Sequence, residues 1–215
     1  MSMTGSELAE YARQVANGVG DTFWTDAEMY RYIWEASAVL ATECRLIERS
    51  YTTTTVASTA AYAAPTYAMV IKRVTYNSSK LMPINFREYD ALVQNATVIP
   101  TGTPQYYYYW EDELTLYPTP DAAYTLKIWS YNHPQAVTAT STIEVPPVWH
   151  LSMADFVVWK MLAKQMNFQA AAQFQSSWLE TITKAKRWNR TRLRGDSFSC
   201  VTDVDLVPAT VIGAI

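Results

Sequence analysis

TGTPQYYYYWEDELTLYPTPD, residues 101–121, sets four consecutive tyrosines beside a tryptophan and follows them with a second alternating run. On a strand, Tyr106, Tyr108 and Trp110 face one way while Tyr107 and Tyr109 face the other. Glu111-Asp112 supplies a tight connection, ELTLYP a returning strand and PTPDAA a further turn. YTLKIWSYNHP, residues 124–134, continues the pattern, and Trp129 and Tyr131 repeat the aromatic habit. A solvated sheet face is normally polar, as Thr115 and Lys127 are. A second face made of rings suits either a stacking platform for sugars or bases or contact with another polypeptide, where Tyr and Trp are enriched. The polar and basic residues that usually pocket a stacked ligand are scarce here. Tyr107, Tyr109, Trp129 and Tyr131 are therefore candidate contacts with another chain, and a carbohydrate-binding module is the alternative.

Upstream, residues 51–86 are rich in Thr, Val and Tyr, with Val70, Lys72 and Val74 alternating against Ile71, Arg73 and Thr75. NSSK (77–80) reads as a turn and FREYDALVQ (86–94) as a short helix. The middle of the chain is thus an antiparallel meander, folded over as a sandwich or half-barrel.

Both ends are helical. Thr4 with Glu7, and Thr25 with Glu28, fit capping boxes. Leu8, Tyr11, Val15 and Val19 follow the first, and Met29, Ile33, Ala36, Leu40, Cys44 and Ile47 follow the second, to about Arg49. After Pro146 and Pro147, which suit a helix start, Leu151, Ala154, Val158, Met161 and Leu162 supply a buried face. A long last helix carries Phe168, Ala172, Gln175, Leu179, Ile182 and Lys186 on neighbouring rows, with Gly195 as its stop. The expected fold is α+β: a four-helix bundle from residues 1–50 and 145–195, a β insertion over 51–144 and an extended arm over 196–215.

Composition restricts function. The chain has 215 residues, 17% charged and 13% aromatic, with a net charge of −3. An average globular protein is about 25% charged, so part of this surface is expected to face protein rather than water. No overall basic field is present to hold nucleic acid. Cys44 and Cys200 make neither a disulfide framework nor a zinc site. The N-terminus lacks a signal pattern, and no apolar stretch reaches the roughly 18 residues of a membrane span; a soluble protein made in a reducing cytoplasm is expected.

Chemistry-bearing constellations are absent from the sequence. His133 lies in a polar turn and His150 one turn into a helix, neither with a ligand at i+3 or i+4, so both read as surface or satisfied core histidines. Glu111, Asp112 and Glu113 read as a solvated hairpin tip rather than a cation site. No nucleophile elbow, phosphate loop or zincin motif occurs, and neither catalysis nor a metal or cofactor is expected. The basic run Lys184, Lys186, Arg187, Arg190, Arg192 and Arg194 closes the last helix. It complements the helix macrodipole, and it equally suits docking to an acidic protein surface or to phosphates. Beyond it, Phe198, Val201, Val204, Leu206, Val207, Val211 and Ile212 form an apolar segment without helical period, better suited to strapping onto a neighbour than to a free terminus.

GDTFWTDAEMYRYIWEA (20–36), TVASTAAYAAP (55–65), GTPQYYYYWEDELTLYPTPDAAYTLKIWSY (102–131) and VPPVWHLSMADFVVWKMLAK (145–164) resemble, in their order and spacing, the head–tail connector proteins of tailed bacteriophages, also called tail adaptors. The similarity runs from about residue 7 to residue 194. It implies a virion protein at the head–tail interface: a ring of identical subunits, commonly twelve, between the capsid portal and the tail or its nozzle. The genome would pass through the lumen without sequence-specific binding. It further implies that the bundle builds the ring wall and that the β insertion, with Tyr107, Tyr109, Trp129 and Tyr131, meets a sister subunit or the tail. The C-terminal segment, with Lys186, Arg187, Arg190, Arg192, Arg194 and the apolar arm, would reach the portal. No membrane partner is implied.

Overall fold

The computed structural model describes residues 2–18, 20, 23–94 and 99–196, the last four by backbone alone. The chain is α+β. Helices α1 (Gly5–Val15) and α2 (Asp26–Cys44) open it, α3 (Phe86–Gln94) lies within the β region, and α4 (His150–Lys164) and α5 (Phe168–Asp196) close it.

Local sequence sets the helix starts. Thr4 accepts from the Glu7 backbone N–H while Glu7 reaches back to the Thr4 N–H, and Thr25 and Glu28 do the same for α2. Lys164 Nζ also donates to Glu28 at 2.8 Å, and this pair, with the cap, holds the Glu28 carboxyl down to about 2. The end of α2 differs from the periodic reading. The helix stops at Cys44 because Arg45 turns left-handed (φ 51°), and Leu46 and Ile47 enter the core as extended chain. Apolar spacing alone cannot distinguish a last helical turn from a buried extended segment.

Leu8, Met29, Ile33, Leu40, Val157 and Met161 are fully buried in one cluster to which α1, α2, α4 and α5 all contribute. On α5 the inward row is Ala171, Trp178 and Ala185, with Thr181 and Asn189 buried beside them, while Phe168 and Leu179 stay exposed. Asn189 earns its buried place by donating to the Cys44 carbonyl at 2.8 Å, which satisfies the C-terminal end of α2.

Among the described residues the β region has ten strands: β1 (Glu48–Thr54), β2 (Ala61–Ala63), β3 (Ala68–Tyr76), β4 (Ser79–Lys80), β5 (Met82–Pro83), β6 (Thr101–Gly102), β7 (Tyr106–Trp110), β8 (Glu113–Tyr117), β9 (Thr119–Pro120) and β10 (Thr125–Asn132). One sheet has the order β1-β10-β3-β4 and is antiparallel throughout. The second has the order β2-β8-β7-β5, and there the simple meander fails, because β5 pairs with β7 in parallel across the α3 crossover. A small parallel pair, β6 with β9, completes the set. Val74, Tyr76, Leu126 and Ile128 from the first sheet meet Tyr107, Leu114 and Leu116 from the second in a separate hydrophobic cluster. Alternate residues of β3, β7, β8 and β10 thus fill the space between sheets.

Candidate interaction surfaces

The aromatic strand resolves into two unlike faces. Tyr107 is buried at 5% exposure within the β core, opposite Leu116, and burial raises its phenol pKa. The expectation that Tyr107 lies on an outward face is corrected: its side fills the space between the sheets. Tyr109 is half-buried and donates to Asp112 Oδ1 at 2.7 Å, holding the hairpin tip. The other face points outward and is covered in part by α3. Tyr89 stacks on Tyr108 with centroids 4.8 Å apart, and Phe86 meets Tyr108 and Trp110 at 5.9 and 6.0 Å. The chain's own rings therefore occupy the strip that a sugar would need. Phe86, Met82 and Trp110 remain more than half exposed at its rim.

Trp129 and Tyr131 lie on the side of β10 opposite the core residues Leu126 and Ile128. Tyr131 is buried and Trp129 half-buried, each between cations. Arg73 and Lys127 lie 5.2 and 4.9 Å from the Trp129 ring, and Arg45 and Lys72 lie 5.8 and 5.5 Å from the Tyr131 ring.

The basic run on α5 is partly consumed inside the chain. Lys186 pairs with Glu43 at 2.7 Å, tying α5 to α2, and Arg192 pairs with Glu48 at 3.1 Å, tying it to β1. Lys184 pairs with Glu180 along the helix. Arg187 and Arg190 are exposed and have no ion pair among the described residues. The Arg194 side chain lies outside the described residues, as do Phe198, Val201, Val204, Leu206, Val207, Val211 and Ile212.

The histidines take structural positions. His133 donates its backbone N–H to the Tyr67 carbonyl at 2.8 Å. His150 is 1% exposed. Its Nδ1 accepts from the Met3 backbone N–H at 3.1 Å and its Nε2–H donates to the Val145 carbonyl at 2.7 Å, which fixes the neutral tautomer and ties both chain segments to α4. Burial lowers its pKa. Because the unfolded chain then binds the proton more readily, stability is fully present above the ordinary value near 6.5 and is lost as pH falls toward the folded one. The thermal midpoint should therefore drop between about pH 7 and pH 5, and His150→Gln should flatten that slope. Equal slopes in the two proteins would show that His150 does not carry the dependence. No group of three or more His, Cys, Asp or Glu residues among those described is arranged to hold a metal ion, and no described helix is long and apolar enough to cross a membrane.

The described chain thus has paired helices at both ends, a two-sheet unit between them and several large apolar side chains exposed. The family model of the SU10 adaptor protein matches residues 3–199. The chain belongs to the SU10 adaptor protein family. No curated protein matches it. Membership of this family gives the chain the role of a phage structural adaptor. The matched span includes the acidic hairpin, the cation-flanked Trp129 and all of α5, so the surfaces described above belong to the family region.

Proposed function

We propose that this adaptor forms a ring of identical copies that joins the capsid portal to the tail and lets the genome pass through its lumen. The observation that carries this reading is the presence of large exposed apolar side chains in two regions of one chain. Leu151, which the apolar spacing places on a buried face but the structure leaves exposed, and Met166, Phe168 and Leu179 are each more than half exposed on or beside α4 and α5, and Met82, Phe86 and Trp110 are so on the β unit. Exposed side chains of this size in two places suit a head-to-tail contact, in which one face of a subunit meets a different face of the next. In this reading the four long helices act as a bundle forming the wall, residues 51–144 contact neighbours or the tail, and the end of α5 with residues 196–215 docks on the portal. Arg187 and Arg190 are the described cations free for that contact.

Mixing the full chain with its portal protein tests the proposal by mass photometry. A complex carrying many copies of this chain is the expected result, and Leu179→Asp combined with Phe168→Asp should lower its occupancy at least tenfold. No complex with the unaltered chain would reject the reading. Removing residues 197–215 should abolish docking without changing the far-ultraviolet circular dichroism, and unchanged portal affinity would remove the arm from the account.

A further inference from the structure

The outer side of the first sheet gathers four cations in a chain that is acidic overall. The register between β10 and β3 slips between Trp129 and Ser130: Trp129 pairs with Arg73 and Ser130 with Ile71, leaving Lys72 as an extra residue. Such a bulge interrupts the alternation of sides and re-aims side chains. Lys72 and Arg73, neighbours that strict alternation would place on opposite faces, both lie over rings on the side away from the β core, Lys72 on the buried Tyr131 and Arg73 on the half-buried Trp129. Lys127 and Arg45 join them. None of the four has an ion pair among the described residues, whereas eight other described lysines and arginines do. Like charges placed together without a counter-charge create a local field that favours an anionic partner, and rings beneath them supply the apolar contact common at interface centres.

The same chain carries a complementary projection. Glu111 and Asp112 form a two-residue turn between β7 and β8, both left-handed at φ 50° and 57°. Asn, Asp and Gly normally fill such turns, so the left-handed cost of about 1–2 kcal/mol falls mainly on Glu111. Asp112 is fixed by Tyr109 Oη at 2.7 Å and its carbonyl accepts from Ala64 N–H at 2.8 Å, so the tip is held rigidly despite the strain. Glu111 and Glu113 are exposed, without an ion pair among the described residues, beside the 61% exposed Trp110. The tip belongs to the second sheet and the cations to the side of the first sheet that faces away from it, so the two are not paired within one chain.

We propose that the cation-flanked Trp129 face receives the acidic hairpin tip, Glu111 to Glu113, of a second copy of this chain. The contact is head-to-tail, joins one β unit to the next and rests on the ring reading above. Long-range attraction between the two sets orients the copies, and Trp110 packs against the exposed part of the Trp129 strip.

Sedimentation of the full chain at high concentration and low salt tests this. The unaltered chain should self-associate, and added salt should weaken the association. Reversing the face (Arg73→Glu with Lys127→Glu) or the tip (Glu111→Lys with Glu113→Lys) should each weaken it about tenfold or more, and combining all four in one chain should restore it. Arg73→Gln with Lys127→Gln keeps the side-chain stems and should give a smaller loss, which covers the case in which reversal perturbs the fold. Self-association that ignores every one of these changes overturns the assignment of the two faces while leaving the ring reading intact. A chain that stays monomeric throughout overturns it too, and the ring reading is then decided separately by the portal complex. Binding of a short DNA duplex that is lost on reversing the face and untouched on reversing the tip would assign the cations to phosphates instead.

Discussion

Trp24→Ala is expected to lower the stability of the folded chain by about 3–5 kcal/mol, the range for removing a large buried aromatic ring. The indole is 2% exposed and sits where three elements meet. Its Nε1–H donates to the Met161 carbonyl of α4 at 3.3 Å, its ring meets Phe23 edge-on at 5.5 Å, and its own carbonyl accepts from Arg13 Nη2 of α1 at 3.0 Å. Loss of the ring leaves a cavity that two helix ends cannot collapse into without breaking those bonds. For a chain of this size the midpoint should fall by about 6–20 °C, measured by calorimetry. Gly18→Ala probes the same contact from the other side, because an added Cβ would lie 2.6 Å from Trp24 Cζ3. It should cost about 1–3 kcal/mol by overpacking. A midpoint unchanged by either substitution would mean that the indole does not lock α1 to α4.

The second large effect separates the two sides of the tyrosine strand. Tyr107→Ala should destabilise the chain by about 3–5 kcal/mol, because this ring fills the space between the two sheets opposite Leu116 and next to Pro83 of β5. Trp110→Ala, at a position 61% exposed, should change stability by about 1 kcal/mol or less and should instead reduce self-association of the chain. Chemical denaturation measured alongside assembly distinguishes them. A stability loss for Trp110→Ala as large as for Tyr107→Ala would show that the outer rings are part of the monomer's core rather than an assembly surface.

Much of the fold is legible in the residues. The pairs Thr4–Glu7 and Thr25–Glu28 mark two helix starts because the signal is local: one side chain and one backbone N–H three residues apart. The three strands around residues 106–132 follow from period-2 alternation and from turn residues between them. The exposed hairpin at Glu111 and Asp112 follows for the same reason. For His150 the sequence excludes a metal-ligand spacing but leaves surface and satisfied-core readings open, and its burial and two hydrogen bonds select the core.

Other features depend on partners far away in sequence. With rings on both sides of residues 106–110, alternation gives the parity of the strand but not the sign, and only the second sheet turns Tyr107 inward. The cover over Tyr108 comes from α3, whose Phe86 and Tyr89 are about twenty residues upstream, brought there by the parallel β5–β7 pairing. The basic run on α5 looks like a single patch in sequence, yet Lys186 and Arg192 are spent on Glu43 and Glu48, more than 140 residues away. The bulge at Lys72 is invisible to a pattern of period two, because one inserted residue moves charges between faces without changing the composition of the strand.

By itself, then, the amino-acid order determined where helices begin, which segment is β and that the chain is rich in rings and poor in charge. Those properties are set by neighbours within a few residues or by composition. Only the tertiary structure decided which rings are core and which are surface, and which cations remain without a carboxylate. Both depend on what packs across a sheet or between helices, and such contacts join residues whose separation along the chain carries no information about their meeting.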